Sequence, residues 1–183
     1  YVPDWTTAAR RDYTSTCARL LADLLPPGVE GSLSTVPLGF KPLAVTSEFE
    51  HRCLSQLLEL VRQLDELHDD TGRVVRLAIE PEPLCVLEST AETVAFFDRL
   101  WTTAEREGLL DPARRHLGVC FDVCHQSVEF EAMAAAFAQL HAAGVRINKV
   151  HLTCALRLLR PGENDDGREA LAHYVEPRYL HQT

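Results

Sequence analysis

Two rhythms of hydrophobic residues alternate along the chain. Long stretches carry apolar residues at every third or fourth position, and between them lie short, nearly continuous apolar runs. The first pattern predicts helices with one buried face, and the second predicts strands buried on both faces. Leu54, Leu57, Leu58, Val61, Leu64 and Leu67 mark the clearest helical stripe, which Ser47 would cap and Thr71-Gly72 would end. An earlier helix starts at Thr6 or Thr7, carries Ala18, Leu21, Leu24 and Leu25, and stops at Pro26-Pro27-Gly28. Another begins at Ser89 or Thr90 and runs through Val94, Phe97, Leu100 and Trp101. A fourth covers about Phe130 to Ala143 and closes at Gly144, and a short one spans Arg168 to Tyr174 after a polar loop.

The strands predicted between these helices are Gly31 to Pro37, Arg73 to Glu80, Leu117 to Asp122 and Arg146 to His151. Strand and helix in strict alternation, joined by right-handed crossovers, predict an α/β fold with a parallel sheet covered by helices. The expected architecture is a partial (β/α)₈ TIM barrel with about four βα units. A complete barrel takes about 250 residues, whereas this chain has 183. An isolated half barrel would also expose raw strand edges. Residues 1–183 are therefore read as a single domain, an excerpt holding about strands three to six of a longer barrel.

Composition fits a globular chain, with 46% hydrophobic and 25% charged residues. The net charge of -9 leaves no basic face for a phosphate backbone, so no nucleic acid partner is expected. No apolar run approaches the ~20 residues of a membrane span. The N-terminus lacks signal-peptide features, and a cytoplasmic location is expected. The six cysteines form no C-x-x-C pair, which argues for reduced, mostly buried thiols. Glycine-rich phosphate loops, the G-x-S-x-G elbow and H-E-x-x-H are all missing from the sequence.

The candidate chemistry lies at the strand ends. α/β sheets place their sites at the carboxyl ends of strands, where loops converge. Three successive predicted strands end there on Glu80, Asp122 and His151. A lone carboxylate at the end of an apolar strand must be solvated, paired or metal-bound. The plainer alternative makes Glu80 the first exposed loop residue before Pro81. Asp122 and His125 form a D-x-x-H pair that can converge on one ion or divide into one ligand and one substrate contact. Otherwise Asp122 caps the following segment and His125 is held by a backbone carbonyl. Glu80, Asp122 and His151 make a mixed carboxylate and imidazole set suited to Mn²⁺ or Mg²⁺, with Zn²⁺ as the alternative divalent metal. His51, His68, His116 and His141 are read as surface or capping residues.

At these residues the sequence resembles the xylose isomerase-like TIM-barrel superfamily of sugar isomerases and epimerases, which also includes endonuclease IV. The matching motifs are Ile79-Glu80-Pro81, Asp122-Val123-Cys124-His125 and Val150-His151. Within that superfamily, the runs at 32–40, 79–90, 118–131, 149–156 and 175–183 resemble the EboE family of metabolite traffic proteins from bacterial Ebo clusters. The resemblance implies that Glu80, Asp122 and His151 are metal ligands and that His125 contacts substrate oxygens. Glu82 is carried as a second substrate contact, although it lies beyond the strand. It also implies a final Glu ligand on a strand past the end of this chain. Two functions follow as expectations. In one, the protein handles a small metabolite, a sugar or polyol, alongside other Ebo pathway proteins. In the other, it is a metal-dependent sugar (phosphate) isomerase or epimerase, in which Glu80 is the catalytic base that removes a proton to form an enediolate.

Overall fold

The computed structural model of the chain describes residues 1–44, 46 and 48–174. Its strands are β1 (Gly31–Thr35), β2 (Val75–Ile79), β3 (Leu117–Asp122) and β4 (Ile147–His151). They pair in parallel in the order β1-β2-β3-β4. The helices are α1 (Ala8–Leu24), α2 (Phe49–Thr71), α3 (Thr90–Arg106), α4 (Leu110–His116), α5 (Val123–Val128), α6 (Met133–Ala142) and α7 (Asp165–Ala172). The fold is mixed α/β, with four parallel strands arranged as a partial (β/α) barrel.

The strand pleat sorts the side chains. Val75, Leu77 and Ile79 of β2 and Leu117, Val119 and Phe121 of β3 belong to the apolar core shared with the helices. Alternate positions face the other way, so Ala78, Gly118, Cys120, Asp122, Lys149 and His151 line the opposite, more polar face by register. On that face Arg76 is buried and bonds Glu30 at 2.9 Å and 2.6 Å, a bidentate pair at the amino end of the sheet.

Local sequence explains most boundaries. Thr7 caps α1, and Ser89 rather than Thr90 caps α3 through a complete capping box with Glu92. Gly72 and Gly144 take left-handed φ of 67° where α2 and α6 finish, a conformation that suits glycine. The expected Ser47 cap and the run at 175–183 lie outside the described residues.

Two segments without an expected element are helical: α4 around Asp111-Pro112, with Pro112 in the first turn where its missing N–H costs nothing, and the short α5 that follows Asp122. Other expectations need correction. The last helix begins at Asp165 and ends at Ala172. His116 is not a surface residue: it is fully buried, with Nδ1 2.8 Å from the Val75 carbonyl oxygen.

Strand β4 joins β3 with an irregularity. Val119 pairs with Ile147 but Cys120 pairs with Lys149, so Asn148 is an extra residue. Its side-chain amide donates to the Leu77 carbonyl at 2.7 Å. Gly118 makes room for it, because a Cβ there would lie 2.7 Å from Cγ of Asn148 and would collide with the Arg146 carbonyl. Among the described residues, no helix is long and apolar enough to cross a membrane.

Candidate metal centre

Glu80 follows the last residue of β2, and Asp122 and His151 are the last residues of β3 and β4. Asp122 and His151 are paired in register. The sheet therefore brings these side chains together at its carboxyl end. Nδ1 of His151 lies 3.1 Å from Oε1 of Glu80 and 3.4 Å from Oδ2 of Asp122. Nδ1 of His125 stands 3.7 Å from the same Glu80 oxygen. Oxygen and nitrogen donors of Glu80, Asp122 and His125 all lie within 4.8 Å of one another.

Exposure grades across the cluster. The Asp122 side chain is 6% exposed, Glu80 is 18% and His151 is 35%, so solvent or a ligand reaches the centre from the His151 side. Asp122 is held from below. Its Oδ1 accepts the Thr153 hydroxyl and the backbone amides of Cys124 (2.8 Å) and His125 (3.3 Å). Burial alone would raise the Asp122 pKa, but the Thr153 hydrogen bond, the His125 ring and the two amides outweigh it and hold the carboxyl below its ordinary value. Asp122 thus does two things: Oδ1 caps α5, and Oδ2 faces His151.

His125 projects from the first turn of α5, and its Nδ1 lies 3.1 Å from the Pro81 carbonyl oxygen. A carbonyl only accepts, so Nδ1 is the donor in that contact, and in the neutral ring Nε2 is left as the acceptor for a hydroxyl. The cap and the carbonyl contact considered as plainer readings of Asp122 and His125 are therefore both present, alongside the convergence. The α5 segment is also tied sideways: the Thr90 hydroxyl lies 3.1 Å from buried Gln126 and 2.5 Å from Glu131.

Glu82 turns elsewhere. One of its carboxylate oxygens accepts the Tyr1 hydroxyl, and Glu82 is not among the converging donors. Two residues unassigned from sequence do belong to the cluster. Thr153 orients Asp122, and Cys120, fully buried, brings its Sγ within 4.8 Å of Glu80 and His151 donors. Burial first, and then Glu80, pushes the Cys120 thiol up to about 12. The strand alternation that places Asp122 on the polar face also places Cys120 there, a signal available in the sequence.

Among the described residues, two sets of donors stand close enough to share a divalent cation: Glu80 with Asp122 and His125, and Glu80 with Cys120 and His151. The expected set of Glu80, Asp122 and His151 is not one of them, although one oxygen of Glu80 and one of Asp122 lie 3.1 Å and 3.4 Å from Nδ1 of His151. Such a meeting is stable only with a proton or a metal ion between them. No protein-family model matches the chain, and no curated protein matches it. Among solved structures, the chain is similar to the apo form of the 3-keto-D-glucoside 4-epimerase from E. coli, at 14% identity and a TM-score of 0.43. That match covers 89% of this chain and 69% of the other, a likeness too distant to carry an argument about chemistry.

Proposed function

We propose that the carboxyl end of the sheet is a divalent-metal site at which a xylose isomerase-like chain holds a small polyhydroxylated metabolite. The observation that carries this reading is the meeting of Nδ1 of His151 with Glu80 and Asp122 oxygens at 3.1 Å and 3.4 Å. Glu80, Asp122 and His151 hold the ion, Mn²⁺ or Mg²⁺ in the first instance. The bound ion supplies positive charge that polarises a carbonyl or hydroxyl oxygen of the metabolite. His125, with Nδ1 committed to Pro81, accepts a metabolite hydroxyl at Nε2. The motifs shared with EboE-type sequences support a role in handling such a metabolite for an Ebo-type biosynthesis and export pathway. On this reading residues 1–183 act as one unit of a longer barrel in the cytoplasm.

A second reading rests on the position of Glu80 between two imidazoles, with Oε1 at 3.1 Å from His151 and 3.7 Å from His125. A carboxylate flanked by proton-exchanging rings suits transfer of a proton at a carbon next to a carbonyl. Glu80 then takes the proton from the carbon next to the carbonyl to leave an enediolate; a proton returned to the same carbon from the opposite face gives epimerisation, and one returned to the former carbonyl carbon gives isomerisation.

One experiment separates the readings. The protein is incubated with Mn²⁺ and a panel of ketoses and ketose phosphates in D₂O, beside a Glu80→Gln variant. Deuterium uptake next to the carbonyl in wild type alone establishes catalysis. Saturable, Mn²⁺-dependent binding without uptake establishes the handling role. No Mn²⁺ binding in a folded protein removes the metal site and both readings with it.

A further inference from the structure

Among the described residues Cys53, Cys85 and Cys120 are buried, and of these Cys120 alone is grouped with possible metal donors. Cys53 sits on α2 inside the apolar core, where a thiol serves as a small hydrophobe. Cys120 is just as buried but is not part of that core. It lies on the polar face of β3, two residues before Asp122 and opposite Lys149. Its sulfur, a Glu80 oxygen and a His151 nitrogen lie within 4.8 Å of one another. Glu80 is the one residue common to this triple and to the triple with Asp122 and His125.

The two triples differ in chemical softness. Two carboxylates and an imidazole suit a hard ion, whereas thiolate, imidazole and carboxylate together suit a borderline one. Donors around a tetrahedral zinc stand about 3.3–3.8 Å apart, given the usual zinc–sulfur and zinc–nitrogen bond lengths. The Glu80 and His151 donors are already near that spacing at 3.1 Å. The sulfur lies within 4.8 Å of both, on β3, which is held in place by a paired strand on each side.

We propose that Cys120, with Glu80 and His151, forms a thiolate-containing site that selects Zn²⁺ or Co²⁺ over Mg²⁺. This rests on the reading that Glu80 and His151 bind metal; it adds the sulfur ligand and makes Zn²⁺ or Co²⁺ the preferred ion in place of the Mn²⁺ or Mg²⁺ that carboxylates and imidazole alone would hold. The ligand bond forms as the thiol releases its proton to solvent, with no change of oxidation state. Cys124 and Cys154, outside the triple, take no part.

Cobalt reports the sulfur directly. Titrating the wild-type chain with Co²⁺ gives a near-ultraviolet thiolate-to-cobalt charge-transfer band and intense tetrahedral visible bands. The charge-transfer band is lost in Cys120→Ser and kept in Cys124→Ser. Zn²⁺ displaces the cobalt, and a large excess of Mg²⁺ does not. Cys120→Ser weakens Zn²⁺ binding by at least about tenfold and Mn²⁺ binding by less than about twofold. Cobalt bound without the band, or a band that survives Cys120→Ser, overturns the sulfur ligand while leaving the metal site standing. Binding of none of these ions removes the site itself. Should Cys120→Ser fail to fold, wild type still decides: X-ray absorption at the zinc edge of the Zn²⁺-loaded chain must show a sulfur ligand at about 2.3 Å, and a shell of nitrogen and oxygen alone refutes the proposal.

Discussion

The hydroxyl of Thr153 donates to Oδ1 of Asp122, the oxygen that also receives the Cys124 and His125 amides. That arrangement leaves Oδ2 turned toward His151 at 3.4 Å. Thr153 is exposed and lies two residues past β4. Its role is to fix the carboxylate plane, which sets where the free oxygen points.

Replacing Thr153 with Val keeps the side-chain shape and removes the donor. The Asp122 pKa then rises toward its ordinary value, because one of the contacts lowering it is gone. Mn²⁺ affinity is expected to fall by about tenfold, the lower end for loss of a residue that orients a ligand. Thr153→Ser restores it. Calorimetric titration of the three proteins checks this, and unchanged affinity in the Val variant would show that the cap amides suffice.

Burial pushes the His116 pKa below the ordinary imidazole value, outweighing its bond to the Val75 carbonyl and the nearby Asp65. A depressed histidine pKa means that, between the folded and unfolded values, the unfolded chain binds the proton that the folded chain refuses. Stability therefore declines as pH falls through about 6.5, by up to about 1.4 kcal/mol per pH unit from this group. Urea midpoints between pH 8 and pH 5.5 should show the decline. In His116→Gln, which stays neutral and can still donate to Val75, the slope should shrink by the equivalent of one proton.

Gly118 faces the Arg146 carbonyl and the Asn148 side chain so closely that no Cβ fits without backbone movement. Gly118→Ala should cost about 1–3 kcal/mol by overpacking. It should also weaken metal binding, because β4 carries His151 and must shift. Urea melts combined with Mn²⁺ titration check both effects. Full stability with normal binding would mean that β4 accommodates the methyl group elsewhere.

Strands β1 and β4 are the edges of the sheet, and neither outer edge is paired among the described residues. Near the β4 edge, Val150 is 44% exposed, Leu152 88% and Phe137 40%. Unpaired apolar edges invite association. Sedimentation should reveal self-association that grows with concentration, and Val150→Lys should reduce it. A wild-type chain monomeric at all concentrations would contradict this.

Much of the frame could be read directly. The extent of β3, the Ser89 cap and the left-handed glycines 72 and 144 depend on local chemistry, and local chemistry is written in the sequence. The strand-end positions of Glu80, Asp122 and His151 were legible for the same reason. What escaped depends on distant partners. His116 looks like a helix-end surface residue until the Val75 carbonyl arrives from a neighbouring strand. Helix α5 is only six residues long, too short for an apolar period to register, and begins because Asp122 accepts two amides. Glu82 shares its loop with the site, yet its carboxylate meets Tyr1 from the far end of the chain.

The extra residue in β4 sets the phase of everything after it. Counted onward from Ile147 opposite Val119, a regular strand would set Val150 against Asp122 and carry His151 out of step. Asn148 absorbs one count, and His151 falls opposite Asp122 instead. The third donor is thus placed by arithmetic along the backbone. Substituting residue 148 preserves that count, whereas a one-residue insertion between Lys149 and His151 would exchange imidazole for spacer without touching any residue of the cluster.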